Sequence, residues 1–254
     1  MTDRGSEPSG ETGAPRVWVV LPTYDEADNI ERLVSAVLER LPQSRRVLVV
    51  DDNSPDGTGE IADRLAGEHD DVEVLHRERK QGLGPAYVAG FKRALAGGAG
   101  LVVAMDSDFS HDPSYLPRML RAAERADLVI GSRYIPGGGV TEWGRVRRAI
   151  SRGGSAYARG TLGVGIRDLT GGFKCYRREV LEAIDLDTLH SRGYAFQVET
   201  TYRALRAGFD VVEIPIVFRD RREGSSKMTK AIVAEAAWRV PALRLRRHDR
   251  NPRG

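Results

Sequence analysis

The sequence predicts an α/β fold, a mainly parallel sheet flanked by helices, on two observations. Short β-branched apolar runs alternate with stretches of helical period, and several of the runs end in carboxylates. Val17 to Leu21 is a continuous apolar run closed by Pro22, the pattern of a strand buried on both faces. Ile30, Leu33, Val34, Val37, Leu38 and Leu41 then recur at i, i+3, i+4, i+7, i+8 and i+11, one apolar stripe on a helix that Pro42 ends. The alternation returns with Val47–Val50 and a helix around Ile61–Leu65, and with Val72–Leu75 and a helix around Val88–Leu95. Leu101–Met105 and Leu128–Ile130 follow as strands.

The second half is less regular. Arg145–Leu162 reads as a strongly basic helix, Gly171–Tyr176 as a strand, and Ala195–Ala207 as a helix closed by Gly208. Val211–Phe218 reads as a strand that Pro215 confines to an edge or a bulge. Composition breaks only at the ends. Residues 1–15 lack apolar pattern and are expected to form a disordered tail rather than a signal peptide. Residues 16–228 are expected to form the catalytic domain, and 229–254 a basic C-terminal helix and tail.

Charge and cysteine usage exclude several classes. Thirty-nine basic and 36 acidic residues nearly cancel, with the excess concentrated after Arg239, so no nucleic-acid partner is expected. No uncharged stretch approaches the roughly 18 apolar residues of a membrane span. The lone Cys175 permits no internal disulfide, fits a reducing compartment, and reads as a small buried strand residue.

In open sheets of this kind ligands gather at the carboxyl ends of the strands. Pro22-Thr-Tyr-Asp-Glu26 and Asp51-Asp-Asn-Ser-Pro-Asp-Gly57 follow the first two strands, where a ring and carboxylates suit a nucleoside. Either cluster alone is equally a turn, with Asp25 or Asp28 capping the first helix and Asp56 the second. Asp106-Ser107-Asp108 is the stronger signal. Two carboxylates at i and i+2 on an extended backbone point to one side, and their repulsion calls for a hard divalent cation shared with phosphate. His111, beside Pro113, reads as a loop residue rather than a ligand. Arg133, after a strand end on the same side, is placed to hold a phosphate with two hydrogen bonds. Arg145, Arg147, Arg148 and Arg152, and later Arg219, Arg221, Arg222 and Lys227, are individually ordinary solvated charges.

In order, the motifs PTYDE, VVDDNSPDGT, GLGPAY, MDSDFSHDP, GSRY, DLTGGFKCY and DRREGSSKM resemble the dolichyl-phosphate mannose synthases of glycosyltransferase family 2, from about Val17 to Met228. The resemblance implies a nucleotide-diphospho-sugar transferase (GT-A) fold, Rossmann-like, using GDP-mannose, Mg²⁺ or Mn²⁺ and a polyprenyl phosphate acceptor, with inversion at the anomeric carbon. It implies that Pro22, Tyr24, Glu26, Val50 and Asp52 contact the GDP moiety. Asp106, Ser107 and Asp108 would serve metal and diphosphate, with Ser110 at a position where relatives often carry Gln or Ser to complete the metal shell. It further implies that Arg133, Arg147 and Ser151 bind the acceptor phosphate, and that Arg221 and Lys227 close over the donor.

Many relatives add transmembrane helices and this sequence adds none. Lys230–Arg247, with Ile232, Ala236, Val240 and Leu243 among arginines, is therefore expected either to lie on the cytoplasmic face of a membrane or to dock on a membrane partner subunit. A relative using a UDP-sugar, glucose or N-acetylglucosamine, is the alternative within the same chemistry. A nucleotidyltransferase would need a Gly-rich loop where PTYDE stands, and a dinucleotide dehydrogenase a third glycine in Gly82-Leu-Gly84-Pro-Ala-Tyr87. A binding module without turnover would not need both Asp106 and Asp108.

Overall fold

The computed structural model describes residues 16–189, 193–219 and 239–244. The expected tail at 1–15 and the loop residues Arg221 and Lys227 lie outside the described residues, as does most of the segment from Lys230 onward. Nine strands and seven α-helices of four residues or more are assigned in the described chain: β1 (Val17–Thr23), α1 (Ala27–Leu38), β2 (Arg45–Asp51), α2 (Thr58–Glu68), β3 (Val72–His76), α3 (Leu83–Ala96), β4 (Leu101–Ala104), α4 (Leu116–Ala123), β5 (Leu128–Ser132), β6 (Gly139–Val140), α5 (Arg145–Leu162), β7 (Lys174–Arg177), α6 (Arg178–Ala183), α7 (Gly193–Arg206), β8 (Val211–Pro215) and β9 (Val217–Phe218).

Seven strands form one sheet in the order β3-β2-β1-β4-β7-β5-β8, and β6 pairs with β9. All main-sheet pairs are parallel except those of β7, which runs antiparallel between β4 and β5. The reversal of strand order between β1 and β4 opens the crevice in which such sheets hold ligands. β8 lies at the sheet edge and ends at Pro215, as the proline dictates.

Alternation of side chains along β1 explains the two layers. Trp18 and Val20 face a core built with Tyr87 and Phe91 of α3, Ala158 and Leu162 of α5, and Phe196 of α7. Val17, Val19 and Leu21 face the opposite core, with Ile30, Leu33, Val34 and Val37 of α1 and Met119 of α4. Both faces being covered, an unbroken apolar run is the stable choice. Gly90 lets α3 approach the sheet, since an added Cβ would lie 2.4 Å from Val20.

Several element bounds differ from expectation. α1 ends at Leu38, and Leu41 is buried from the turn that follows, because apolar burial continues past the last helical hydrogen bonds. α3 begins at Leu83, before any apolar periodicity is visible. Val240 and Leu243, expected on a membrane face, are 1% and 4% exposed and belong to the α3–α5–α7 core. Arg244 there donates to the Thr161 carbonyl at 2.8 Å, fastening this piece to the end of α5.

Candidate active site

The crevice between β1 and β4 is joined at its floor by Ser107, whose hydroxyl donates to the Pro22 carbonyl at 2.8 Å. β4 stops at Ala104, Asp106 follows it, and Ser107 and Asp108 lie in a bend, with Phe109 at φ 59°. Asp106 accepts from the Tyr87 hydroxyl at 2.9 Å, and its backbone N–H donates to His111 Nδ1 at 3.0 Å. Asp108 accepts from the Ser110 N–H at 3.0 Å. The Ser110 hydroxyl is buried and has no hydrogen-bond partner. A buried hydroxyl left unmatched beside two carboxylates is the kind of orphan that an external partner satisfies.

Tyr87 and His111 were not singled out as site residues by the sequence. Tyr87 is fully buried between Phe91 and Phe196, with ring centroids at 5.6 and 6.0 Å. Burial, and then the charge of Asp106, pushes its phenol well above the ordinary value, so it stays a donor. His111 is a loop residue, as expected, but a buried one, stacked on Phe173 at 5.0 Å. Burial lowers its pKa despite the neighbouring acids, and the bond accepted at Nδ1 fits the neutral tautomer protonated at Nε2.

At the ends of β1 and β2, Asp56 joins the two turns that follow these strands. It accepts from the N–H of Ala27 at the start of α1 at 2.9 Å and from the N–H and hydroxyl of Thr58 at the start of α2, at 3.1 and 2.6 Å. These bonds outweigh the cost of burial, and its pKa is lowered. Asp25 and Asp28 do not cap α1; Glu26 is the N-cap residue, without a side-chain cap bond. Asp52 is buried and paired with Arg77, and also accepts from the Gln81 N–H at 3.2 Å. The Tyr24 ring carries the Lys80 ammonium at 3.3 Å from its centroid. The Val50 side chain is wholly in the core, and its carbonyl accepts from the Thr23 hydroxyl at 3.4 Å.

On the far side, Arg133 is held in a buried fork. Its Nε and one terminal nitrogen each donate to Asp168 at 2.7 Å, its backbone N–H donates at 2.9 Å, and Thr170 accepts at 2.9 Å. Burial alone would raise the Asp168 pKa; the charge and hydrogen bonds of Arg133 more than reverse that, and it is lowered. Ser151 accepts from the Tyr134 hydroxyl at 2.6 Å, and the Arg147 guanidinium lies 4.4 Å from the Trp143 ring centroid. Cys175, in β7, is buried as read, and burial pushes its thiol up to about 12, far from a nucleophile's range.

Among the described residues no three His, Cys, Asp or Glu side chains cluster as a metal cage. Two carboxylates and the Ser110 hydroxyl instead suit a hard ion that draws its remaining oxygen ligands from a diphosphate.

The mainly parallel sheet is that of a GT-A glycosyltransferase, and the chain belongs to glycosyl transferase family 2, whose family model matches residues 18–185. It is 48% identical over 238 residues to polyprenol monophosphomannose synthase of Mycolicibacterium smegmatis, covering 93% of this chain and 89% of that protein. It is also 48% identical over 225 residues to undecaprenyl-phosphate mannosyltransferase of Micrococcus luteus, covering 89% and 92%. Among solved structures, glucosyl-3-phosphoglycerate synthase from Mycobacterium tuberculosis with Mn²⁺, UDP-glucose and phosphoglyceric acid shares the fold, with TM-score 0.65 at 22% identity over 89% of this chain and 80% of that one.

Proposed function

We propose that this enzyme transfers mannose from GDP-mannose to a polyprenyl phosphate, with inversion at the anomeric carbon and with Mg²⁺ or Mn²⁺. The observation that carries the reading is the acid pair Asp106 and Asp108 beside the unpartnered Ser110 hydroxyl at the strand-order reversal. The two relatives at 48% identity, whose names give a polyprenol monophosphomannose product and an undecaprenyl phosphate acceptor, support mannose and lipid phosphate together.

In this reading Asp106, Asp108 and Ser110 would hold the metal, whose charge would offset that of the leaving diphosphate. Pro22, Tyr24, Glu26, Val50 and Asp52 receive the GDP moiety, Val50 through its backbone. Arg133, Arg147 and Ser151 receive the acceptor phosphate, and Arg221 and Lys227 cover the donor. A phosphate monoester is largely ionised near neutral pH, so its oxygen attacks without a side-chain base. The chain's work is alignment and charge stabilisation.

Among the described residues no helix is long and apolar enough to cross a membrane. We propose peripheral contact with the cytoplasmic face, now through α5. Val146, Ile150 and Tyr157, at i, i+4 and i+11, are 73%, 47% and 44% exposed, among Arg145, Arg148 and Arg152, while Ser155, Ala158 and Leu162 face inward. An apolar ridge flanked by cations suits an anionic bilayer surface. The helix also carries Arg147 and Ser151, which would bring the acceptor site to the lipid.

The test is transfer of radiolabelled mannose from GDP-mannose to a short polyprenyl phosphate in detergent, with Mg²⁺, Mn²⁺ or EDTA, beside UDP-glucose and UDP-N-acetylglucosamine. Metal-dependent mannolipid is expected. Transfer only from a UDP-sugar overturns the sugar, and no transfer from any donor, even with membranes supplied, overturns the reading.

A further inference from the structure

Gln197, on the first turns of α7, has a side chain that the fold leaves unmatched. The residue is 3% exposed, yet neither its amide nitrogen nor its amide oxygen has a hydrogen-bond partner. A buried carboxamide can make up to four hydrogen bonds, and leaving both ends unmet is costly. Its backbone, by contrast, is firmly held: the carbonyl accepts from Lys174 Nζ at 2.6 Å and from the hydroxyls of Thr200 and Thr201 at 3.2 and 3.1 Å. The backbone from which the side chain extends is therefore fixed by the fold.

What the amide faces is next to the acid pair. A Cβ built on Gly172 would stand 3.4 Å from Gln197 Nε2 and 3.5 Å from His111 Cε1. The absent side chain of Gly172 thus leaves a notch between the amide and the imidazole. The nitrogens flanking that Cε1 are the two that approach Asp106, Nδ1 at 3.0 Å from its backbone nitrogen and Nε2 at 4.0 Å from its carboxylate. From the other side Phe196, the residue before Gln197, stacks on Tyr87, whose hydroxyl holds Asp106. α7 therefore meets the metal acid by two routes, with the unmatched amide between them.

We propose that Gln197 binds hydroxyl groups of the transferred sugar, in the notch left by Gly172. The inference rests on the sugar-nucleotide reading above and deepens it. A carboxamide offers an acceptor and a donor side by side, the pattern that two neighbouring hydroxyls of a pyranose complete. Purely apolar neighbours would discriminate sugars weakly, whereas a buried polar group left unpaired by the wrong substrate discriminates strongly.

The experiment compares wild type with Gln197→Leu, Gln197→Glu and Gly172→Ala, reading GDP affinity by calorimetry and kcat/KM for GDP-mannose. Gln197→Leu should be at least as heat-stable as wild type, because it replaces an unpartnered buried amide with an apolar group of similar size. Its kcat/KM should nevertheless fall by about 10- to 100-fold, with GDP affinity within about twofold. Gln197→Glu, which keeps an acceptor and loses the donor, should fall between the two. Gly172→Ala meets only ordinary contact distances, so it folds, fills the notch and raises KM. A kcat/KM for Gln197→Leu within about threefold of wild type, or GDP affinity falling in parallel with it, overturns the proposal. Should the wild type turn over a UDP-sugar instead, the mannose reading fails alone and the comparison is made with UDP and that sugar nucleotide. A wild type that turns over none takes both readings down.

Discussion

The ends of β4 and β5 hold their charges in opposite ways. Asp106, 25% exposed at its side chain, is oriented by a neutral phenol, and the Ser110 hydroxyl beside the acid pair is unmatched. Arg133, just after β5, is 5% exposed and locked to Asp168, which is 0% exposed. The end of β4 leaves a hydroxyl unmatched, whereas the end of β5 anchors its cation internally.

Removing Asp168 tests the contrast most severely. Asp168→Ala removes the carboxylate that holds a buried guanidinium and should cost about 3–5 kcal/mol of stability, read by urea unfolding. The double variant Asp168→Leu with Arg133→Met should recover much of that stability while remaining inactive, since an apolar pair can replace a buried ion pair. If the double variant regains activity, Arg133 does not serve the acceptor. The pH dependence has a definite sign. Asp168 has a lowered folded pKa, so its contribution is complete above the unfolded carboxylate value of about 3.9 and is lost as pH falls through the folded one.

On the donor side the expected loss is of turnover rather than of fold. Asp108→Ala should lower kcat by about 10²- to 10³-fold at saturating Mg²⁺, with an unfolding midpoint near that of wild type. Full activity in that variant would break the metal reading. Tyr87→Phe is milder. Its ring stays between Phe91 and Phe196, but Asp106 loses a hydroxyl donor, and kcat/KM should fall by about 10- to 100-fold, the ~1.5–3 kcal/mol of a hydrogen bond to a charged group.

The same contrast decides what could be read from the chain. The parallel half announces itself, because β1, β2 and β4 are buried on both faces and their apolar runs end in acids. Arg147 and Ser151 were implied by the family resemblance alone, and no local pattern tells that Arg133 is paired, since Asp168 lies 35 positions away. Periodicity could not find α3's first turn, where Gly84 and Pro85 hide the helix, or predict that Val240 and Leu243 return to the core. Tyr87 stood within GLGPAY without a local reason to be chosen, and its role is set by contacts from α7 and β4. Gln197 is an ordinary polar residue until Gly172 and His111 are seen beside it.

The smallest effect sharpens the comparison at its hinge, Lys174 of β7, which ties the acceptor-side strand to Gln197. Burial lowers its pKa to about 7, against a partial opposing pull from Asp168. Because the unfolded chain keeps this lysine protonated up to about 10.4, between pH 7 and that value the unfolded state binds more protons, and stability must rise with pH. Above about pH 8.5 the Cys175 thiol, raised to about 12 by burial, begins to act in the opposite direction, so the clean window ends there. Lys174→Met removes only the first contribution. Across pH 7 to 8.5 the stability of wild type should therefore gain about 1–2 kcal/mol relative to the variant, by urea unfolding at each pH. A difference that stays flat means the ammonium keeps its proton in the fold. Asp168 would then neutralise a second cation besides Arg133, and the acceptor side would be anchored by charge at two points rather than one.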